Sequence, residues 1–398
     1  MNYQFAGRMQ QLKSSAVRDI LKLTQGREII SFAGGLPAEE LFPLEAVREA
    51  TDRVFASGRQ SLQYGLTEGF TPLREQLCDR MAAKGMQVHP DQMILTTGSQ
   101  QAIDLVVKVL NDPGDTVLVE TPTYLAALQV FQLYGLQVEA VECDEQGMIL
   151  EDAERLIRER RPRLIYAVPT FGNPTGRVWS EERRRGILEL CIRYGVPFLE
   201  DDPYGDIKFD ESAHYPTLFS MQQHSEGGPV IYTGTFSKTV APALRTGWAI
   251  ADSRIIRMMA KAKQAADLHS STLDQQTLDQ LLRHFPLDRH IRAIARIYGE
   301  RMREMSALIK RQGWKDVRFS EPKGGMFLWL ELPEGLDSEA LLRCSVGKGV
   351  AFVPGASFYA SEPKRNTARL NYTHSTGERL AAGIERFAEA LAEFTARC

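Results

Sequence analysis

The stretch "MILTTGSQQAIDLVVKVLNDPGDTVLVE" (Met93–Glu120) decides the fold. It opens on a short apolar run, turns at Gly98, and then places Ile103, Val106, Val107 and Leu110 on one helical face. It breaks at "NDPGD" (111–115) and closes on a second β-branched run. Strand, amphipathic helix, turn and strand make the repeating unit of a parallel sheet, because two parallel strands need a crossover between them. The alternation continues outward through "QVEAVEC" (137–143), "RLIYAVP" (163–169), "VPFLED" (196–201), "VIYTGT" (230–235) and "GWAIAD" (247–252), giving seven strand candidates in all. "SEERRRGILELCIRYG" (180–195) has the polar start and apolar second half of another covering helix. Continuous apolar strands separated by helices predict an α/β large domain with a mainly parallel seven-stranded sheet, covered on both faces.

After about residue 285 the pattern changes. "LDRHIRAIARIYGERMREMSALIKRQG" (287–313) reads as one long helix, with Ile294, Tyr298, Met305 and Ile309 among its apolar positions. Short strands "MFLWLEL", "VAFVPG" and "ARLNY" follow, then a closing helix from Gly377 to Arg397. This is a smaller α+β domain. A chain of 398 residues exceeds one ordinary core. The expected division is 1–45 for an N-terminal arm and part of the small domain, 46–285 for the large domain, and 286–398 for the C-terminal small domain.

Composition narrows the function. A net charge of −3 lacks the basic excess of a nucleic-acid binder. No apolar run approaches the roughly 20 residues needed to span a bilayer, and the N-terminus carries no long apolar segment of a signal peptide. Five scattered cysteines without CxxC spacing suit free thiols in a reducing compartment, so the expected location is cytoplasmic. HExxH, paired-cysteine and GxxxxGK[ST] motifs are missing, and no metal is expected.

The chemistry-bearing residues sit where strands end. In "YTGTFSKTVAPALRTGW" (232–248), Thr235, Ser237, Lys238 and Arg245 follow a strand. They suit a surface turn, or a cradle for a phosphorylated group with a Schiff-base lysine beside other cations. Ser99 and Gln100 open a helix after Gly98. They read as an anion site on free N–H groups, or Ser99 reads as a plain N-cap. Tyr124 follows "TVLVET" at the carboxyl edge of the sheet, either to stack on a planar ligand or to fill the core. Asn173, in "PTFGNPTG", is placed either to bond a phenolic oxygen or simply to make a turn. "FLEDDPYGD" ends a buried strand in carboxylates. Asp201 there could hold a pyridine nitrogen protonated, with Tyr204 reaching the ring hydroxyl, or the segment is a solvated acidic turn. Arg369, inside the apolar "ARLNY", needs a fixed anion: a substrate carboxylate or an internal salt bridge. Of the seven histidines, His269 in "ADLHSSTLDQQ" is a possible neighbour of the site.

Taken in order, GSQQ, NPTG, DDPY, SKxxxxxxR and RLNY resemble the fold-type I pyridoxal-phosphate aminotransferases, the aspartate aminotransferase-like fold. The 2-aminoadipate and kynurenine aminotransferase subgroup is the nearest likeness, and it runs over nearly the whole chain. The resemblance implies pyridoxal 5′-phosphate as cofactor, with Lys238 as the lysine that binds it and then moves the substrate Cα proton. Asp201 would pair with the pyridine nitrogen, Asn173 and Tyr204 with the phenolic oxygen, and Tyr124 would stack. Ser99, Gln100, Thr235, Ser237 and Arg245 would form the phosphate cup. Tyr64 of "LQYGLTEG" would reach a partner subunit's phosphate in a homodimer. Arg369 would clamp the α-carboxylate, with Asn173 beside it. Gly35 of "GGLP" resembles the substrate loop. Arg18 sits where the subgroup carries a substrate-contacting arginine, or it is a solvated arginine on an amphipathic helix.

The implied reaction moves the amino group of an L-amino acid to a 2-oxo acid such as 2-oxoglutarate, the donor being of 2-aminoadipate, aromatic or branched-chain type. Other readings are a β-lyase on the same scaffold and a non-catalytic effector sensor of the kind fused behind a helix-turn-helix. No such DNA-binding segment is expected before residue 1.

Overall fold

The computed structural model describes residues 1–12, 20 and 28–397. Its central sheet is built from β1 (Met93–Thr96), β2 (Thr116–Glu120), β3 (Gln137–Val141), β4 (Leu164–Ala167), β5 (Phe198–Asp201), β6 (Val230–Thr235) and β7 (Gly247–Ile250). The spatial order is β1-β7-β6-β5-β4-β2-β3. β2 pairs in parallel with β3 and β4, β4 with β5, and β5 with β6. β7 runs antiparallel to both its neighbours, β1 and β6. Each of the seven strand candidates takes its place, and the parallel majority follows from the helical crossovers between them.

Every strand except β3 is buried along its whole length, as a sheet covered on both faces requires; β3 is the partly exposed edge. The helix Gly98–Leu110 buries Ile103, Val106 and Val107 as its pattern demands. The helix Glu181–Tyr194 starts where Ser180 Oγ accepts from the Arg183 N–H at 3.1 Å, and stops at Gly195 with φ +65°.

A second, antiparallel sheet orders Arg318–Phe319, Phe327–Glu331, Thr367–Asn371 and Val353–Pro354. The helices Leu287–Arg311 and Gly377–Arg397 accompany it, and Ile294, Tyr298, Met305 and Ile309 are all buried. Two expectations change here. "VAFVPG" is not one strand: Val350–Ala351 pairs with Ile30–Ser31, and only Val353–Pro354 joins the sheet. Phe352 turns the chain between the two, buried against Phe387 at a ring separation of 5.2 Å. "QVEAVEC" likewise ends at Val141, after which Cys143–Asp144 turns back on Gly147–Met148.

The topology places the site. β2 is flanked by β3 on one side and β4 on the other, so the chain switches direction across the sheet there. Loops leaving the carboxyl ends on either side of such a switch diverge and leave a crevice. Tyr124 leaves β2, Asn173 leaves β4, Asp201 ends β5, and Lys238 follows β6. Because β7 is reversed, Arg245 at its entry lies at that same edge.

Candidate active site

Asp201 ends β5 with only 2% exposure. Its Oδ2 accepts from the Tyr166 hydroxyl at 2.8 Å, while Oδ1 has no partner among the described residues. Burial pushes the carboxyl up to about 7, against the pull of the Tyr166 hydrogen bond. Tyr166 was not singled out in the sequence. The register explains the pairing: Tyr166 lies opposite Leu199, so its side chain shares a sheet face with Asp201, two residues further on. Glu200 therefore points to the other face, where it accepts from the N–H groups of Leu218 and Phe219 and lies 3.7 Å from Arg184. Asp202 accepts from Gly205 N–H and from the Tyr232 hydroxyl. The run of three acids is thus one carboxyl with a free oxygen and two structural ones, not a solvated turn.

Lys238 is partly buried, and its Nζ donates to the Gly35 carbonyl at 2.8 Å. Burial draws its ammonium down to about 8, helped by the charges of Arg369 and Arg245. Arg369 is 2% exposed; it donates to Asn173 Oδ1 at 2.7 Å and to the Ala33 carbonyl at 2.8 Å, and its Nε has no partner among the described residues. Its guanidinium lies over the rings of Phe327, 4.2 Å from the centroid, and Phe358, at 5.1 Å. Both hydrogen-bond partners are neutral, and among the described residues Arg369 makes no internal salt bridge. Burial lowers Arg369 to about 10, which leaves it charged at neutral pH.

The aromatic residues join the same neighbourhood. Half-buried Tyr124, pushed up to about 12 by burial, feels Asp201, Arg369 and Arg245. Tyr204, raised by burial, feels Tyr124, Arg369 and Asp201, and accepts a hydrogen bond from the Asn173 side chain. Its ring meets Phe327 edge-on at 5.8 Å.

The cup residues also meet. Thr235 Oγ1 lies 2.9 Å from Ser237 Oγ and accepts from the Ser237 N–H at 3.1 Å. Arg245 donates to Ser237 Oγ at 3.3 Å and to the Thr97 carbonyl at 3.4 Å. Gly98 has φ +72°, and a Cβ there would fall 2.6 Å from Arg245 Nη2. The guanidinium thus lies directly over the helix start, beside the free N–H groups of Gly98, Ser99 and Gln100.

Two details correct the sequence reading. The helix begins at Gly98 with Thr97 as its N-cap, so Ser99 is not the cap. The Gln100 amide donates away from the cup, to the Ala126 carbonyl at 3.3 Å, leaving its backbone N–H as the group the cup can use.

Tyr64 is 78% exposed and stands apart from this cluster, edge-on to His269 at 5.7 Å. His269 Nε2 accepts from the Gly65 N–H at 3.4 Å, which puts the proton on Nδ1, donated to the Ser270 carbonyl at 2.8 Å. Arg18 lies outside the described residues.

These residues fit pyridoxal phosphate. A buried carboxylate with a free oxygen suits a protonated pyridine nitrogen, and an arginine over a helix N-terminus suits a phosphate. A lysine lowered to about 8 suits covalent attachment.

The aminotransferase class I and II family profile matches residues 27–387. The chain is 41% identical over 387 residues to the 2-aminoadipate transaminase of Thermus thermophilus, covering 97% of this chain and 95% of the relative. It is 39% identical to aromatic-amino-acid aminotransferase 1 of Thermococcus litoralis, covering 96% and 92%. The solved α-aminoadipate aminotransferase of Thermus thermophilus, complexed with N-(5′-phosphopyridoxyl)-L-leucine, superposes with a TM-score of 0.92 at 38% identity, covering 99% of this chain and 98% of that one. With family and fold in agreement, the chain belongs to the class I and II aminotransferases and is a pyridoxal-phosphate-dependent transaminase of the aspartate aminotransferase-like fold type I.

Proposed function

We propose that the chain moves the amino group of an L-amino acid to a 2-oxo acid by a ping-pong mechanism, with Lys238 as its acid–base group. The observation that carries this reading is Arg369, which lies within electrostatic range of Lys238 on one side and, with Asp201, of Tyr124 and Tyr204 on the other. One amine is lowered to about 8, one carboxylate has a free oxygen, and one buried guanidinium has a free Nε. Pyridoxal phosphate, when bound, supplies the electron sink that lets a substrate Cα–H bond break.

The chain's own residues do the rest. Lys238 would take the proton from the substrate Cα and deliver it to the cofactor's C4′, its lowered basicity leaving much of it neutral near pH 8. Asp201 holds a proton at the pyridine nitrogen, and Tyr166 steadies its other oxygen. Asn173 and Tyr204 bond the phenolic oxygen, and Tyr124 stacks on the ring. Ser99, Gln100, Thr235, Ser237 and Arg245 hold the phosphate. Arg369 clamps the substrate α-carboxylate, helped by Asn173, and Gly35 lets the backbone come close to the substrate.

Residues 46–285 form the cofactor-binding domain. Residues 286–398 form the small domain with part of 1–45, supported by the pairing of Ile30–Ser31 with Val350–Ala351. The working unit is a homodimer in which Tyr64 serves the partner's phosphate. The exposure of Leu62 (67%), Tyr64 (78%) and Leu66 (57%) supports an apolar surface there that a second copy covers. No described helix is long and apolar enough to cross a membrane. Cys78, Cys143, Cys191 and Cys344 are free thiols, which suits the cytoplasm.

The relatives' names support 2-aminoadipate and aromatic donors, and the pyridoxyl-leucine complex supports a branched-chain one; the acceptor of this reading is 2-oxoglutarate. The test is an absorption titration of the holoenzyme with single amino acids in the absence of any oxo acid. Bleaching of the visible band, reversed by 2-oxoglutarate, is expected for 2-aminoadipate and the aromatic donors. A band that shifts and does not recover with any oxo acid would rule out this amino-group cycle.

A further inference from the structure

Behind the start of the helix Gly98–Leu110 lies a buried cation that the site described above does not use. Lys263, in the helix Ser253–Asp267, has no exposed side-chain surface. Its Nζ donates to Gln101 Oε1 at 2.8 Å, to Ser270 Oγ at 2.8 Å and to Asp267 Oδ2 at 2.7 Å. Three donors and three acceptors satisfy a buried ammonium, which would otherwise be costly.

Two of those acceptors lead to Thr97. Gln101 Oε1 also accepts from the Thr97 N–H at 2.8 Å, and Ser270 Oγ lies 2.8 Å from Thr97 Oγ1. Gln101 Nε2 donates to Asp267 at 2.6 Å, which fixes the amide with its oxygen toward Lys263. The Thr97 carbonyl, in turn, accepts from Arg245. Thr97 is therefore held at its N–H, its hydroxyl and its carbonyl. It is the N-cap of the helix, so its placement sets the direction of the free N–H groups of residues 98–100.

We propose that Lys263 is a positioning residue for phosphate binding. Through Gln101 and Ser270 it locks Thr97, so that the helix start and Arg245 act as one rigid cup. This rests on the reading of Ser237, Arg245 and the Gly98 helix start as the phosphate site. Loss of a merely structural ion pair would lower stability without discriminating between phosphorylated and unphosphorylated ligands.

The experiment compares apoprotein of the wild type, Lys263→Met, Ser270→Ala and Arg245→Leu, each titrated with pyridoxal phosphate and with pyridoxal, with a melting curve for each. Loss of one charge-assisted contact should weaken pyridoxal phosphate by about tenfold in Lys263→Met, with less in Ser270→Ala, while pyridoxal changes by less than about twofold. If Arg245→Leu loses the preference for the phosphorylated ligand but Lys263→Met and Ser270→Ala keep it, the positioning role is overturned alone. If Arg245→Leu keeps the preference, the cup reading falls and takes this inference with it. Should Lys263→Met fail to fold, Ser270→Ala gives the same two answers.

Discussion

Lys238 Nζ and the Gly35 carbonyl, 203 residues apart in sequence, are joined by a hydrogen bond of 2.8 Å. The amine is thereby parked against the N-terminal loop, and Arg369, which donates to the neighbouring Ala33 carbonyl, anchors that loop from the other side. The loop proposed to meet substrate and the lysine proposed to act on it are mechanically linked.

Lys238→Ala should abolish turnover while leaving cofactor bound without a covalent link. Losing acid–base function alone costs about 10²–10⁴-fold in kcat, measured as single-turnover rates with 2-aminoadipate. Undiminished turnover would overturn the role.

Capture of pyridoxal phosphate by apoprotein should quicken as pH rises, with a midpoint near 8, because only the neutral amine is a nucleophile. At that pH an ordinary lysine would be under about 1% neutral. Burial is the main cause of the lowered value, and Arg369 adds to it by repulsion. Arg369→Gln should therefore move the midpoint upward. The same variant should raise KM for the amino acid far more than for pyridoxal phosphate capture. Stopped-flow absorbance across pH 6–10 (a range spanning about two units either side of the midpoint) reads the shift.

Asp201 gives the apoprotein a pH-dependent stability whose sign follows from its raised value. Its folded value of about 7 lies above the ordinary carboxyl range, so between the two the folded state binds more protons than the unfolded chain. Stability from this group is present in acid and is lost as pH rises toward 7. The slope is about 1 kcal/mol per pH unit within that window. Asp201→Asn should flatten that part of the urea-midpoint profile, leaving the similar contribution of Glu200, also raised by burial to about 7. In the holoenzyme the same variant should lose most of its kcat, since a neutral amide cannot hold the pyridine proton.

Gly98→Ala should weaken the phosphate site. The backbone there is left-handed, which costs an alanine roughly 1–2 kcal/mol, and the new methyl would press on Arg245 Nη2 at 2.6 Å. Affinity for pyridoxal phosphate should fall while affinity for pyridoxal changes little. Equal losses for both ligands would mean that the loop, not the phosphate contact, had been disturbed.

Much of this protein was legible in one dimension. Strand and helix periodicity depends on neighbours two to four residues apart, so the seven strands of the large sheet and the long helix from Leu287 could be read locally. The motif set at the strand ends was legible too, because parallel topology puts those ends at one edge. The tertiary structure alone decided the partners. That Tyr166 serves Asp201 depends on the register of β4 against β5. That Arg369 bonds Asn173 rather than an acid depends on a contact 196 residues apart. "VAFVPG" split because its two halves met different partners, Ile30–Ser31 and Thr367–Asn371. Lys263 carried no signal in the sequence; packing buries it and makes Gln101, Ser270 and Asp267 its partners. Periodicity records which face of an element is apolar, whereas hydrogen bonding and desolvation depend on which atoms fold within about 3 Å of one another.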